Sequence, residues 1–291
     1  MPEIPEMELY KNNLNSTVKG KTIDQVWIYR PKCVNLETDI FSHRIIGTKI
    51  SVVERKGKYL VFSLSNGLKL LAHMMLDGRL YYLSGKDSPL ENSDFGEVNR
   101  IYEKVQGLSG KPSVLFLLED ESLLFFCQLT LGYLRLYEED ELRSILDELG
   151  PDPLDAAFGS EDFSLLLAKA SKRGMIKPWL MQQKNISGVG NAYSNESLFG
   201  AGMLPTRKIG SISSSERITL FSALRNILEE SIKQGGDMEE PFTLNDDFTG
   251  GFIPYFRVYD RQGDPCFECG QSIVKEEVGG RNAFFCPRCQ K

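Results

Sequence analysis

The chain has 291 residues, 41% of them hydrophobic and 25% charged, with 34 Lys and Arg against 40 Asp and Glu for a formal net charge of −6. This is the composition of an ordinary globular protein of about two domains. No run approaches the ~18 uncharged apolar residues of a membrane helix, and Glu3 and Glu6 stand where a secretory leader would carry Lys, so neither a membrane-spanning nor a classically secreted protein is expected and the cytoplasm is the default. The charge argues against a protein that coats nucleic acid by bulk attraction. Basic residues number 18 against 22 acidic ones up to Gly150 and 16 against 18 beyond it, so any nucleic-acid contact must rest on where individual charges are placed.

In chain order, Met7, Tyr10 and Leu14 predict a helix over 6–14. Short apolar runs follow at 22–29, 48–54, 59–63, 68–73, 79–83, 114–118, 123–127 and 133–137, punctuated by turn residues such as Ser65-Asn66-Gly67 and Asp77-Gly78. Such spacing predicts an antiparallel sandwich or barrel. Between 84 and 110 the pattern dissolves into Gly, Ser, Asn and charge, as in a long surface insertion. The acidic run 138–141 opens a solvated helix, and Gly150-Pro151-Asp152-Pro153 makes a linker. Helical spacing then takes over at 161–170, 178–184, 191–199 and 213–233, with Ser213 to Glu216 as a capped start and Gly235-Gly236 as a stop. From 257 onward short strands return around cysteine pairs.

Three groups of residues point to chemistry. Cys266, Cys269, Cys286 and Cys289 form two C-x2-C turns sixteen residues apart. Two such turns facing each other give a tetrahedral S4 site suited to one structural Zn2+ ion; the competing reading is four free or disulfide-linked thiols. Arg281, in the hairpin between the pairs, is a good phosphate reader. Cys33 and Cys127 read as buried apolar residues. Next, the turn Gly188-Val189-Gly190-Asn191 opens a helix whose amides can bind an anion, with Asn191 able to cap the helix and to donate to phosphate; a plain helical hairpin is the alternative. Last, Met1-Pro2-Glu3 places a small residue second, so removal of Met1 is expected to expose the secondary amine of Pro2. An α-amine titrates near ~7.7–8.0 and can attack a sugar carbon to form an iminium. Glu3 could then move protons and Glu6 could organise the site; a disordered acidic N-terminus is the alternative.

Taken together, the set resembles the formamidopyrimidine-DNA glycosylase/endonuclease VIII family. The resemblance rests on Pro2-Glu3-x-Pro5-Glu6, Gly57-Lys58-Tyr59-Leu60, Ile176 to Met181, Gly188 to Tyr193, Glu196 to Phe199, Val258-Tyr259 and the cysteine tail with Gly280-Arg281. It covers nearly the whole chain. It implies an α+β multidomain protein: an N-terminal catalytic β-sandwich over 1–137, a helix–two-turn–helix DNA-binding domain over 151–240 and a four-cysteine zinc finger over 257–291, with DNA between. The implied activity is a base-excision-repair DNA glycosylase with AP-lyase activity, acting as a monomer on damaged DNA in the bacterial cytoplasm or nucleoid. Carried over residue by residue, Pro2 is the nucleophile, Glu3 the acid/base and Glu6 its support. Lys58, which also joins the catalytic set, Asn191 and Arg281 contact phosphate, and Lys177, a further DNA-binding residue, lies near the lesion pocket. Two departures bear on substrate. Met75 or Leu76 stands where family members fill the hole left by the everted base, and Cys127 to Gly132 lacks the family's Arg-Phe pair, leaving Leu131 as a wedge. A leucine reads no opposite base, which suits lesions in single-stranded, mismatched or distorted DNA. The glycines of the 245–255 segment allow a mobile lid; an ordinary loop leading to the zinc hairpin is the alternative. A paralogue that binds damaged or structured DNA with little base excision is the other reading; a zinc-ribbon transcription or translation protein would leave the N-terminal acids unexplained.

Overall fold

The computed structural model describes residues 1–87 and 112–291; the insertion expected over 84–110 lies outside the described residues from position 88 on. The chain forms two compact units. The first comprises residues 1–2, 6–146 and 235–251, and the second 3–5, 147–234 and 252–291.

The first unit is built on two four-stranded antiparallel sheets. One has the order β1-β6-β7-β5, from Ile23–Ile28, Pro112–Leu118, Leu123–Cys127 and Arg79–Leu83. The other has the order β2-β3-β4-β8, from Ile50–Lys56, Tyr59–Leu64, Lys69–His73 and Tyr133–Tyr137. Alternation along β3 shows why these runs are strands: Leu60, Phe62 and Leu64 join the main core, while Val61 packs on the other face with Leu71 and Leu142. Leu142 comes from the helix Glu139–Leu146, the one the acidic run announced. The opening helix, Ile4–Thr17, sends Met7, Tyr10 and Leu14 into the main core. A helix over Thr38–Ile45 is not expected from the sequence; it is held by buried Phe41 and Ile45 alone, too few apolar positions to mark a period. Lys58 sits in the two-residue turn before β3, after Gly57 with φ +56°, and its side chain is largely buried.

The segment 245–251 is tied down rather than open. Asp246 accepts hydrogen bonds from the amides of Phe242, Phe248 and Thr249 and from the Thr249 hydroxyl. Gly250 N donates to Gly235 O at 2.8 Å. Gly235 has φ +90°, and a Cβ there would come within 1.8 Å of Phe248 O, so only glycine fits both the turn and the close approach.

The second unit packs the helices Ser160–Ala168, Ile176–Leu180, Asn191–Gly200 and Ser214–Lys233 with the hairpin β9–β10, Val274–Val278 and Arg281–Phe285. Ser213 and Glu216 form the expected capping box. The helix expected over 178–184 instead spans Ile176–Leu180 and stops early. Side chains downstream bond the backbone in its place: Asn185 Nδ2 donates to Trp179 O at 3.0 Å, and Gln183 bonds both Gly188 N and Val189 O. Every residue from Ala192 to Phe199 is buried. Among them, Glu196 accepts from the amides of Arg257, Val258 and Tyr259, and Asn195 Oδ1 accepts from Phe284 N. These bonds staple the cysteine-bearing tail to the helix. Burial pushes the Glu196 carboxyl up against those three amides.

His73, at the end of β4, stacks on Tyr133 with centroids 5.6 Å apart and meets the Tyr59 ring edge-on. Its Nδ1 accepts from Met75 N at 3.0 Å, so the proton of the neutral ring is on Nε2. Burial, aided by the charge of Lys58, lowers its pKa to about 4. The unfolded chain, with an ordinary histidine near 6.5, takes up this proton first as pH falls. His73 therefore contributes stability in full above about pH 6.5 and loses it toward pH 4, on the order of 2–3 kcal/mol in all. Urea unfolding at pH 7.5 and 4.5 should show a smaller acid loss in His73→Gln than in the parent; equal losses would refute this account of the slope.

Candidate functional site

Of the residues expected to do chemistry, Glu3, Lys177 and Asn191 meet at the start of the helix Asn191–Gly200. Glu3 is buried, and its carboxylate accepts from Gly190 N at 2.5 Å and from Ala192 N at 2.9 Å. This changes two expectations. The amides of the glycine turn, read as an anion site, are engaged by a carboxylate of the chain itself. Asn191 is not the helix cap: Gly190 holds that position without a side chain, and Glu3 supplies the missing acceptor. An anion at a helix N-terminus is favoured both by the unpaired N–H groups and by the helix dipole. The turn is rigid on its other side too, where Gln183 Oε1 accepts from Gly188 N at 2.7 Å and Gly188 has φ +83°.

Lys177, on the short helix Ile176–Leu180, is fully buried at 0% exposure. Its Nζ donates to Asn191 Oδ1 at 2.5 Å and lies 3.4 Å from Met181 Sδ. Burial lowers its pKa to about 8; Glu3 opposes that shift and Arg281 adds to it. Asn191 itself is half-buried. Arg281 is exposed and opens β10 directly after the turn Gly279-Gly280. Gly279 has φ +62°, and a Cβ there would meet Pro178 Cγ at 2.5 Å, so the turn lies hard against the Lys177 helix.

The four cysteine thiols lie within 4.8 Å of one another. The Cys266–Cys289 and Cys269–Cys286 sulfurs are 3.9 and 3.5 Å apart. A zinc tetrathiolate with ~2.3 Å bonds has tetrahedral edges of roughly 3.8 Å, close to both of these separations, so the four thiols are a fitting donor set for Zn2+. With all four positions filled by protein, a metal there holds structure and does not activate water. Gln290 braces the site, accepting from Cys286 N and donating to Met203 O.

In the first unit, Glu6 is buried and its Oε1 accepts from Asp237 N at 3.1 Å, which pins the chain just after the glycine stop. Pro2 is half-buried and Met1 exposed. Lys58 and His73 are close enough for the lysine charge to act on the imidazole. Sequence reasoning singles out neither His73 nor Gln183. A lone histidine ending a strand carries no spacing signal, and the Gln183 partners are visible only once the turn is folded. The loops 73–78 and 127–132 pack on one another: a Cβ on Gly78 would lie 2.9 Å from Leu129 Cδ2, and one on Gly132 would lie 2.7 Å from His73 O. Leu129 is buried, whereas Leu76 and Leu131 are 55% and 58% exposed. Met75 sits in the left-handed region at φ +54°.

Family models match the chain in three places. The formamidopyrimidine-DNA glycosylase N-terminal domain matches residues 1–124, the H2TH domain of the same enzymes 149–242, and the zinc finger found in FPG and IleRS 263–291. A formamidopyrimidine-DNA glycosylase of Listeria monocytogenes is 34% identical over 296 residues, covering 100% of both chains. The Lactococcus lactis Fpg bound to DNA containing an abasic site superposes with a TM-score of 0.83 at 25% identity, covering 99% of each chain. A mutant of that protein in complex with DNA containing Fapy-dG gives 0.83 at 25% over 100% of both. The N-terminal sheets, the H2TH helices and the four-cysteine tail are thus those of one family, and the chain belongs to the formamidopyrimidine-DNA glycosylases.

Proposed function

We propose that the protein is a bifunctional DNA glycosylase and AP lyase that removes damaged, chiefly oxidised, bases through the amine of Pro2. The observation that carries this reading is Glu3, a buried carboxylate fixed by two backbone amides and covalently next to Pro2. The Lactococcus lactis relative seen with abasic-site and Fapy-dG DNA supports the substrate class. Removal of Met1 frees the Pro2 nitrogen, whose lone pair attacks C1′ of the everted nucleotide as the base leaves with its bonding electrons and takes a proton from water. The proton released by the attacking amine passes to the Glu3 carboxylate, which delivers it to O4′ as the C1′–O4′ bond breaks and the sugar ring opens, and the nitrogen becomes an iminium. That electron sink acidifies the C2′ proton; its removal expels the 3′ phosphate and cuts the strand. Glu6 supports the site by fixing the chain at Asp237. Lys58, Asn191 and Arg281 hold phosphates, offering an ammonium, an amide and a guanidinium. One Zn2+ on Cys266, Cys269, Cys286 and Cys289 supplies no chemistry and keeps the Arg281 hairpin folded. The protein works as a monomer in a bacterial cytoplasm, at the nucleoid when on DNA.

Leu76 and Leu131, exposed on adjoining loops, are the wedge that fills the gap left by the everted base. Neither side chain can hydrogen-bond the orphaned base, so the opposite base is not read. The same loss of a polar reader favours the second reading, a paralogue that grips damaged DNA but excises poorly.

Incubation with abasic-site DNA and borohydride should trap a covalent adduct that Pro2→Gly abolishes, and Glu3→Gln should lose base removal far more than DNA binding. No adduct, with tight and salt-sensitive binding, would establish the binder instead. Excision of one lesion opposite each of the four bases should vary little, and Leu131→Ala should slow cleavage in duplex more than in single-stranded substrate; a strong preference for one opposite base would remove the wedge argument. Cys286→Ser should lose zinc and weaken DNA binding while the β-sheet circular dichroism of the first unit persists. Full affinity after complete zinc loss would contradict the role given to the hairpin.

A further inference from the structure

Lys177 presents a problem that the phosphate-contact reading leaves open. A lysine at 0% exposure has given up its hydration, which is strongly unfavourable unless its charge is used. Its one strong hydrogen-bond partner among the described residues is Asn191 Oδ1, at 2.5 Å, with the Met181 sulfur a weak second. A carboxamide has two ends of similar shape and opposite polarity, and nothing about its own rotamer decides which faces outward. An ammonium is a donor only, so it accepts no alternative: the oxygen must face Lys177 and the NH2 group must face away. The Asn191 nitrogen makes no hydrogen bond among the described residues, and its side chain is half-buried at the open end of the turn. Glu3 stands on the neighbouring amides, and its negative charge favours keeping the ammonium in place.

We infer that Lys177 is a positioning residue that touches no DNA: it fixes the flip of the Asn191 carboxamide so that two N–H donors are presented to a DNA phosphate. The inference rests on the reading of Asn191 as a phosphate contact. Without the ammonium the amide can turn its oxygen outward, toward the phosphate it should bind, and the flipped population then repels the ligand. The buried cation thus acts on DNA through the dipole of one side chain and not through its own charge.

The test is a double-mutant cycle on the full-length zinc-loaded protein, read as affinity for a duplex carrying a tetrahydrofuran abasic analogue over a range of salt, with thermal midpoints recorded alongside. Asn191→Ala should weaken binding about tenfold, the loss expected for one hydrogen bond to a charged group, and should lower the salt slope. Lys177→Met, which keeps the stem and removes only the ammonium, should weaken binding by a similar factor. The double variant should be no more than about twofold weaker than either single one, since both remove the same contact. Asn191→Asp keeps the acceptor for Lys177 and needs no rearrangement; it should bind more weakly than Asn191→Ala because it turns an oxygen to the phosphate. It keeps the inference testable if Lys177→Met does not fold. If Asn191→Ala weakens binding while Lys177→Met does not, or if the two losses multiply, positioning is refuted and the Asn191 contact stands. If Asn191→Ala and Asn191→Asp both bind like the parent, the phosphate contact is refuted and the inference goes with it.

Discussion

The carboxylate of Glu3 on the amides of Gly190 and Ala192 is the interaction on which the rest of the candidate site depends. It joins residues 187 and 189 positions apart, satisfies donors that a helix start always leaves open, and fixes the residue next to the proposed nucleophile to within hydrogen-bond tolerance. A helix start is a sound anchor because its amides cannot rotate away. The helix itself is held in place, since its residues from Ala192 to Phe199 are all buried. Proton transfer needs a carboxylate whose orientation is set before the substrate arrives, and here the backbone sets it.

The same helix organises what lies around it through polar groups that are buried and satisfied. Glu196 holds three successive amides of the segment leading to the cysteines, Asn195 holds the second strand of the hairpin, and the Tyr193 hydroxyl shares a hydrogen bond with Ser231. Together with Lys177 on Asn191, these make a core that is polar where position matters and apolar elsewhere. Such networks are costly when half satisfied, which is why a change at Glu196 or Asn195 would disturb the Arg281 hairpin although neither is proposed to meet a phosphate. Gly279 against Pro178 does the same for the hairpin tip from the other side.

Much of this is legible in the sequence and some is not, for identifiable reasons. The strands declare themselves because alternation in residues such as Leu60, Val61 and Phe62 is local. The four cysteines do so because metal ligands come at fixed spacing, and the Ser213–Glu216 box because a cap is read within four residues. The helix Thr38–Ile45 escapes notice, having only Phe41 and Ile45 to mark it. The helix Ile176–Leu180 reads as later and longer than it is, because Gln183 and Asn185 end it through bonds formed only in the folded turn. Asn191 reads as a cap because the true acceptor, Glu3, is far away along the chain. Lys177 is expected beside DNA, and no local pattern betrays that it is buried. The roles of Pro2, Glu3 and Glu6 become readable through the family resemblance, since a few acids beside two prolines are otherwise unremarkable.

Residues 3–5 belong to the second compact unit, with Ile4 in its apolar core, although the chain runs on at once into the first. On the ribosome Glu3 is made before the amides that receive it, which come 187 and 189 positions later. Chains fold largely unit by unit as they are synthesised, but the first unit takes in residues 235–251, with Phe242 in its main core, so it too is complete only after the glycine turn has been made. Competence then waits for the glycine turn to be translated, and a product truncated ahead of it would lack both the amides that receive Glu3 and the 235–251 segment that completes the first unit.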